Sequence, residues 1–145
     1  MVTFQKASCD IAWPIESMLI WDKCWIGPGG PHGLRPSYEM VALWRMPEFS
    51  IANRGLPDIQ KFRWSAHKPN GHPAEKPVDL MAFLIEHTCP RGGTVLDAFT
   101  GSGTTGVAAA QANCAFIGIE QDEKWADVAE KRIEAAYRES IKDLI

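Results

Sequence analysis

Three consecutive stretches restrict the fold more than anything else in the sequence: Thr94-Val-Leu-Asp97, Gly101-Ser-Gly-Thr-Thr-Gly106 and Ala115-Phe-Ile-Gly-Ile-Glu120. The first and third are short apolar runs of the length of buried strands, and between them a glycine-rich turn leads into small residues that predict a helix over 107–112. From about Asp122 a longer helix is expected, with Trp125, Val128, Ala129, Ile133 and Ala136 on one face and charges on the other. Strand, turn, helix, strand, helix is a βαβα unit. Its two strands must run parallel, joined by a right-handed crossover.

Proline marks where this regular region begins. All ten prolines lie at or before Pro90, so loops and short strands are expected first and regular alternation afterwards. Pro77 is placed to open a helix, and the residues after it put Val78, Met81, Leu84 and Ile85 on one face before Pro90-Arg-Gly-Gly93 stops it. Apolar runs such as Met81 to Ile85 and Met18 to Trp21 fall far short of the ~20 residues needed to cross a bilayer. With no charged-then-apolar leader either, the expectation is a cytoplasmic chain without membrane contact.

Cys9, Cys24, Cys89 and Cys114 form no Cys-x-x-Cys pair and read as reduced, buried or half-buried thiols. The net charge of -3 is unevenly spread: residues 1–76 carry +2 and residues 77–145 carry -5. Any nucleic-acid contact is therefore expected in the first part.

Gly101-x-Gly103-x-x-Gly106 satisfies the dinucleotide fingerprint, and Glu120 stands where an acid would hold a ribose diol. By itself the pattern is equally that of a helix start needing glycine to turn. Asp97 sharpens it, because a carboxylate at the end of the first strand repels a pyrophosphate and no Lys or Arg stands nearby to neutralise one. S-adenosyl-L-methionine suits the place better: it has no phosphate and carries a sulfonium and an ammonium. A nicotinamide-dependent oxidoreductase is the competing enzyme reading.

The ordered set His72-Pro-Ala-Glu-Lys-Pro77, Val95-Leu-Asp-Ala-Phe-Thr-Gly-Ser-Gly-Thr-Thr-Gly106 and Phe116-Ile-Gly-Ile-Glu120 resembles the amino-group DNA methyltransferases, which modify adenine N6 or cytosine N4. Met18-Leu-Ile-Trp-Asp-Lys23 and Tyr38-Glu-Met-Val-Ala-Leu-Trp-Arg45 are similar to that family's late hairpin, so the likeness runs from about Trp13 to Tyr137. It implies an α/β, Rossmann-like methyltransferase fold, here incomplete: one domain with a strand and hairpin region over 1–53, a basic connection over 54–76 and the cofactor-binding unit over 77–145. It also implies a site-specific DNA methyltransferase of restriction-modification type. In that family the His72 to Pro77 element helps form the methionine end of the pocket, which points to Lys76. Asp97, Phe99, Gly101, Ser102, Gly103, Thr104 and Thr105 would line the pocket, and Glu120 with Asp122 would hold the nucleoside. The connection corresponds to the target-recognition segment, where Arg54, Lys61, Arg63 and Lys68 are the expected DNA contacts, with Phe62 and Trp64 interleaved.

Trp21, Trp44 and Trp125 read as core aromatics rather than base platforms, and His67 with His72 lack a third ligand for a metal. Direct transfer to an amino nitrogen needs no metal. One element is missing: the family's catalytic tetrapeptide, an Asp, Asn or Ser followed by Pro-Pro and an aromatic, has no counterpart, because the sequence contains no Pro-Pro. Asp10, Trp13 and Pro14 offer an acid, an aromatic and a proline in another order, leaving the catalytic residues unknown. The edge of the strand at Thr94 to Asp97 is then expected to be covered by a second chain that brings the catalytic strand, by a homodimer contact, or by nothing. A non-catalytic module that binds cofactor, DNA or a partner methyltransferase is the reading from another class.

Overall fold

A computed structural model describes residues 15–27, 29–51, 53–65 and 70–142. The chain divides into two compact units, residues 1–63 and 64–145. The division falls inside the basic connection.

In the first unit, β1 (Ser17–Asp22) pairs antiparallel with β2 (Tyr38–Leu43), Ser17 opposite Leu43 and Asp22 opposite Tyr38. This is the hairpin expected from the sequence. A third strand, β3 (Ile59–Lys61), adds parallel to the other edge of β1, where a plain connection was expected. Three residues are too few to show alternation; what fixes them is the buried Trp21, whose indole N–H donates to the Phe62 carbonyl at 2.6 Å. Lys23 bridges to Glu39 at 2.7 Å across the hairpin. Cys24 departs from expectation: it is exposed, in a turn with φ +50°, and its amide donates to the Asp22 carboxylate at 2.9 Å.

The second unit begins with α1 (Val78–Thr88). Pro77 is the residue before the helix rather than its first, with extended ψ of 138°. The face is turned slightly from that expected: Leu80 and Ile85 are buried, Val78 and Met81 pack beside the core, and Leu84 is half-buried. Next come β4 (Thr94–Asp97), α2 (Thr104–Gln111), β5 (Ala115–Gly118) and α3 (Glu123–Lys142). β4 and β5 pair in parallel with Val95 opposite Phe116 and Leu96 opposite Ile117, as the βαβα reading requires.

Helix α2 opens three residues earlier than the apolar pattern indicated. Gly103, at φ +84°, ends the turn, and the Val107 amide bonds its carbonyl at 3.0 Å, so Thr104 and Thr105 are already helical. Their low intrinsic preference is overridden by packing: α2 lies between α1 and α3 and against both strands. Ala108 and Ala109 with Ile85 and Cys114 form the core on that side, with Val95 and Phe116 against it. The opposite side of the two-stranded sheet is open: Leu96, Ile117 and Ile119 are 63%, 55% and 56% exposed. Among the described residues no helix is long and apolar enough to cross a membrane.

Candidate functional site

The turn between β4 and α2 is built from its own backbone outward. Beyond the paired register, the Ile119 amide bonds Asp97 O at 2.8 Å and the Thr100 amide bonds Ile119 O at 3.0 Å, so the two strands lead the chain side by side into the turn. There the backbone reverses through Gly101 (φ +54°) and Gly103 (φ +84°). A side chain at 103 would meet the α3 backbone, its Cβ 2.9 Å from Ala129 Cα, and one at 106 would meet Ile133 and Phe116. The first and second glycines make the turn; the third lets α2 approach its neighbours.

Both carboxylates expected at this loop are present, and each first holds the loop itself. Asp97 accepts from the Phe99 amide at 2.9 Å and from the Thr105 hydroxyl at 2.5 Å. Glu120 accepts from the Gly101 amide at 2.8 Å and the Asp122 amide at 2.9 Å. The Asp122 and Gly101 amides, with smaller help from the Gln121 amide and the His72 charge, hold the Glu120 carboxyl below its ordinary value. A carboxylate offers about four acceptor positions, so each has capacity left for a ligand. Asp122 is chiefly a helix cap: its carboxylate takes the Lys124 amide at 3.0 Å and the Trp125 amide at 3.4 Å.

The remaining predicted residues divide into builders and exposed groups. Ser102, Thr104 and Thr105 are buried beneath the loop, and the Thr104 hydroxyl has no hydrogen-bond partner there. The N-terminus of α2 has no side-chain cap either. Phe99 stands 88% exposed beside this turn. From the hexapeptide, the His72 side chain lies against the turn and Glu75 is linked to it through Arg132, while Lys76 is half-buried just before α1. The His72 ring lies over Gly101, 3.2 Å from where a Cβ would stand, and meets Trp125 edge-on with centroids 4.6 Å apart. Trp125 is thus half-buried at the site rather than a core aromatic, with Lys124 Nζ 4.6 Å from its ring.

A second correction concerns charge. Arg132, in the third turn of α3, reaches the loop and donates to Ser102 O at 2.5 Å and Ser102 Oγ at 3.1 Å. The expectation that no cation stands nearby therefore fails, because helix packing brings in a residue thirty positions away. Its charge is matched by Glu75 at 3.4 Å, so the acids Asp97, Glu120 and Asp122 still set the sign of the loop.

Of the expected DNA contacts among the described residues, Arg54 and Lys61 stand at opposite ends of β1. Arg54 lines a groove with Glu16, Ser17, Leu43 and Arg45, at the start of β1, and Arg45 there pairs with Glu16 at 3.1 Å. Lys61 stands opposite Asp22 at the other end of that strand, roughly 16 Å away at ~3.3 Å per residue. Lys61 and Arg63 are both exposed. Lys68, His67, Cys9 and the group Asp10, Trp13 and Pro14 lie outside the described residues.

A family profile described as DNA methylase matches residues 5–131. The Escherichia coli (strain K12) protein YubD is 37% identical over 93% of this chain, which spans 58% of YubD. Type II methyltransferase M.BglI of Bacillus subtilis is 41% identical over 61% of the chain, corresponding to 24% of that enzyme. Among solved structures, the M1.HpyAVI–SAM complex superposes with a TM-score of 0.67 at 27% identity, over 91% of this chain and 69% of the other.

Proposed function

Because the chain belongs to the DNA methylase family, that of the amino-group methyltransferases, we propose that its second unit holds S-adenosyl-L-methionine for methyl transfer to an exocyclic amino group of DNA, adenine N6 ahead of cytosine N4. The observation that carries this reading is the glycine turn closed at both ends by carboxylates, Asp97 and Glu120, above an uncapped helix N-terminus. When bound, the cofactor supplies an electrophilic methyl group on a sulfonium. Glu120 offers its free acceptor positions to the ribose hydroxyls, with Asp122 beside it. Asp97 faces the cationic end, and the Thr104 hydroxyl and the first amides of α2 suit the carboxylate of the methionine part. The exposed Phe99 ring gives an apolar wall. Gly101, Ser102, Gly103 and Thr105 shape the turn, and Lys76 belongs to the hexapeptide beside it.

DNA is assigned to Arg54, Lys61, Arg63 and Lys68, through phosphate contact, and replacing Lys61 and Arg63 should lower both affinity and its salt dependence. The acceptor and aromatic that orient the target base are taken to come from outside these 145 residues, since no Pro-Pro occurs among them. Isothermal titration of the full chain with S-adenosyl-L-methionine and, separately, with NAD tests the cofactor. Saturable heat with the first and none with the second is expected; the reverse overturns the reading in favour of an oxidoreductase.

A further inference from the structure

Three distant segments of the second unit meet at one guanidinium. Arg132 belongs to α3, Ser102 lies between the two left-handed glycines of the turn, and Glu75 lies in the hexapeptide that brings His72 over Gly101. The Arg132 Nη1 donates to both oxygens of Ser102 while Nη2 faces Glu75 Oε1, which also accepts from Asn70 Nδ2 at 3.0 Å. Both charged side chains are largely buried, 20% exposed for Arg132 and 8% for Glu75.

We propose that Arg132 is a positioning residue for the cofactor loop, coupling the turn over 101–103 to the hexapeptide around Glu75 so that both sides of the site are set before ligand arrives. The inference rests on the cofactor reading above and deepens it. A largely buried ion pair is weak evidence of stabilisation, because desolvation consumes most of the attraction; its better-attested use is to fix register. The geometry here suits that use. The Ser102 carbonyl belongs to the peptide that joins it to Gly103, so holding this oxygen fixes the orientation of the peptide entering α2. The same cation anchors Glu75, three residues from the His72 ring that covers Gly101. A planar fork holds both in one fixed geometry, which the single ammonium of a lysine on its flexible stem does not reproduce.

The test is cofactor affinity of the full chain, by isothermal titration well below the melting temperature, for Arg132→Ala, Arg132→Lys, Glu75→Gln and the pair Arg132→Ala with Glu75→Gln. Tyr137→Phe is the structural control: it lies on the same helix but bonds Cys114 O at 2.6 Å, away from the loop. Arg132→Ala is expected to weaken binding about tenfold to a hundredfold, with Arg132→Lys intermediate and the double variant no worse than Arg132→Ala alone. Tyr137→Phe should lower the melting temperature and leave affinity unchanged. A merely structural role would make affinity follow melting temperature across all the variants, and that pattern overturns the proposal, as does wild-type affinity in Arg132→Lys and Glu75→Gln. If Arg132→Ala does not fold, those two conservative variants decide the matter. If the wild-type chain binds no S-adenosyl-L-methionine, the cofactor reading fails separately. Amide exchange at 101–105 then judges the coupling: faster exchange in Arg132→Lys upholds it, and unchanged exchange overturns it.

Discussion

Glu120 carries two duties that a single carboxylate can combine: it closes the turn through Gly101 and Asp122 and still has acceptor positions for a diol. Its depressed pKa gives a sign. The stabilisation it lends the turn is complete above the ordinary carboxylate value near 4.5 and is lost as the pH falls through the lower value of the folded protein. The Gly101 amide proton should therefore report a titration with its midpoint below 4.5, absent in Glu120→Gln; a midpoint at or above that value would contradict the contact. Glu120→Ala should weaken S-adenosyl-L-methionine binding about tenfold or more, since a charge-assisted acceptor is removed. Asp97 and Glu120 were legible in the sequence because Asp97 ends a strand of recognisable pattern and Glu120 follows one by two residues. Arg132 was not, since nothing local links it to a loop thirty residues earlier. Its one signal is position: three residues after Ala129 and one before Ile133, it is a charge on the apolar face of α3.

Helix α2 shows why element types were more legible than their edges. The βαβα order follows from strand-length apolar runs and a glycine turn, and β4 lies where its residues indicate. The helix start depends instead on how closely α3 approaches, information held in Ala129 and Ile133 rather than in Thr104 and Thr105. β3 escaped for a similar reason, its three residues being fixed by Trp21 and pairing with β1. The approach at Gly103 is testable in a pair of substitutions. Gly103→Ala places a Cβ 2.9 Å from the Ala129 backbone at φ +84°, so strain and overpacking together should cost about 2–4 kcal/mol. Gly92→Ala meets only the backbone penalty, at φ +73° with open space around it, and should cost about 1 kcal/mol. Urea unfolding followed in both variants measures the difference, and equal midpoints would show that α3 is not held against the turn.

On the scale of the whole molecule, residues of the chain are proposed for the cofactor but none of recognised pattern for orienting a base. Parallel strands are ordinarily covered on both faces, whereas Leu96, Ile117 and Ile119 leave one face of the β4–β5 pair open, and no residue pattern in the chain matches the acceptor-and-aromatic element that orients a target amino group. Transfer by this chain alone would then lack the orientation that supplies about 7–11 kcal/mol of barrier reduction, roughly five to eight powers of ten in rate. Extruding a base from the duplex would also cost a few kcal/mol without an aromatic to stack against. Tritiated methyl transfer from S-adenosyl-L-methionine to unmethylated DNA is expected to be undetectable with these 145 residues by themselves and restored when a polypeptide carrying the Pro-Pro-aromatic element is added. Robust incorporation by the single chain would overturn this and direct attention to Asp10, Trp13 and Pro14 as the orienting group. No incorporation in either arrangement, with cofactor binding intact, would instead favour a chain that binds S-adenosyl-L-methionine in order to regulate rather than to transfer.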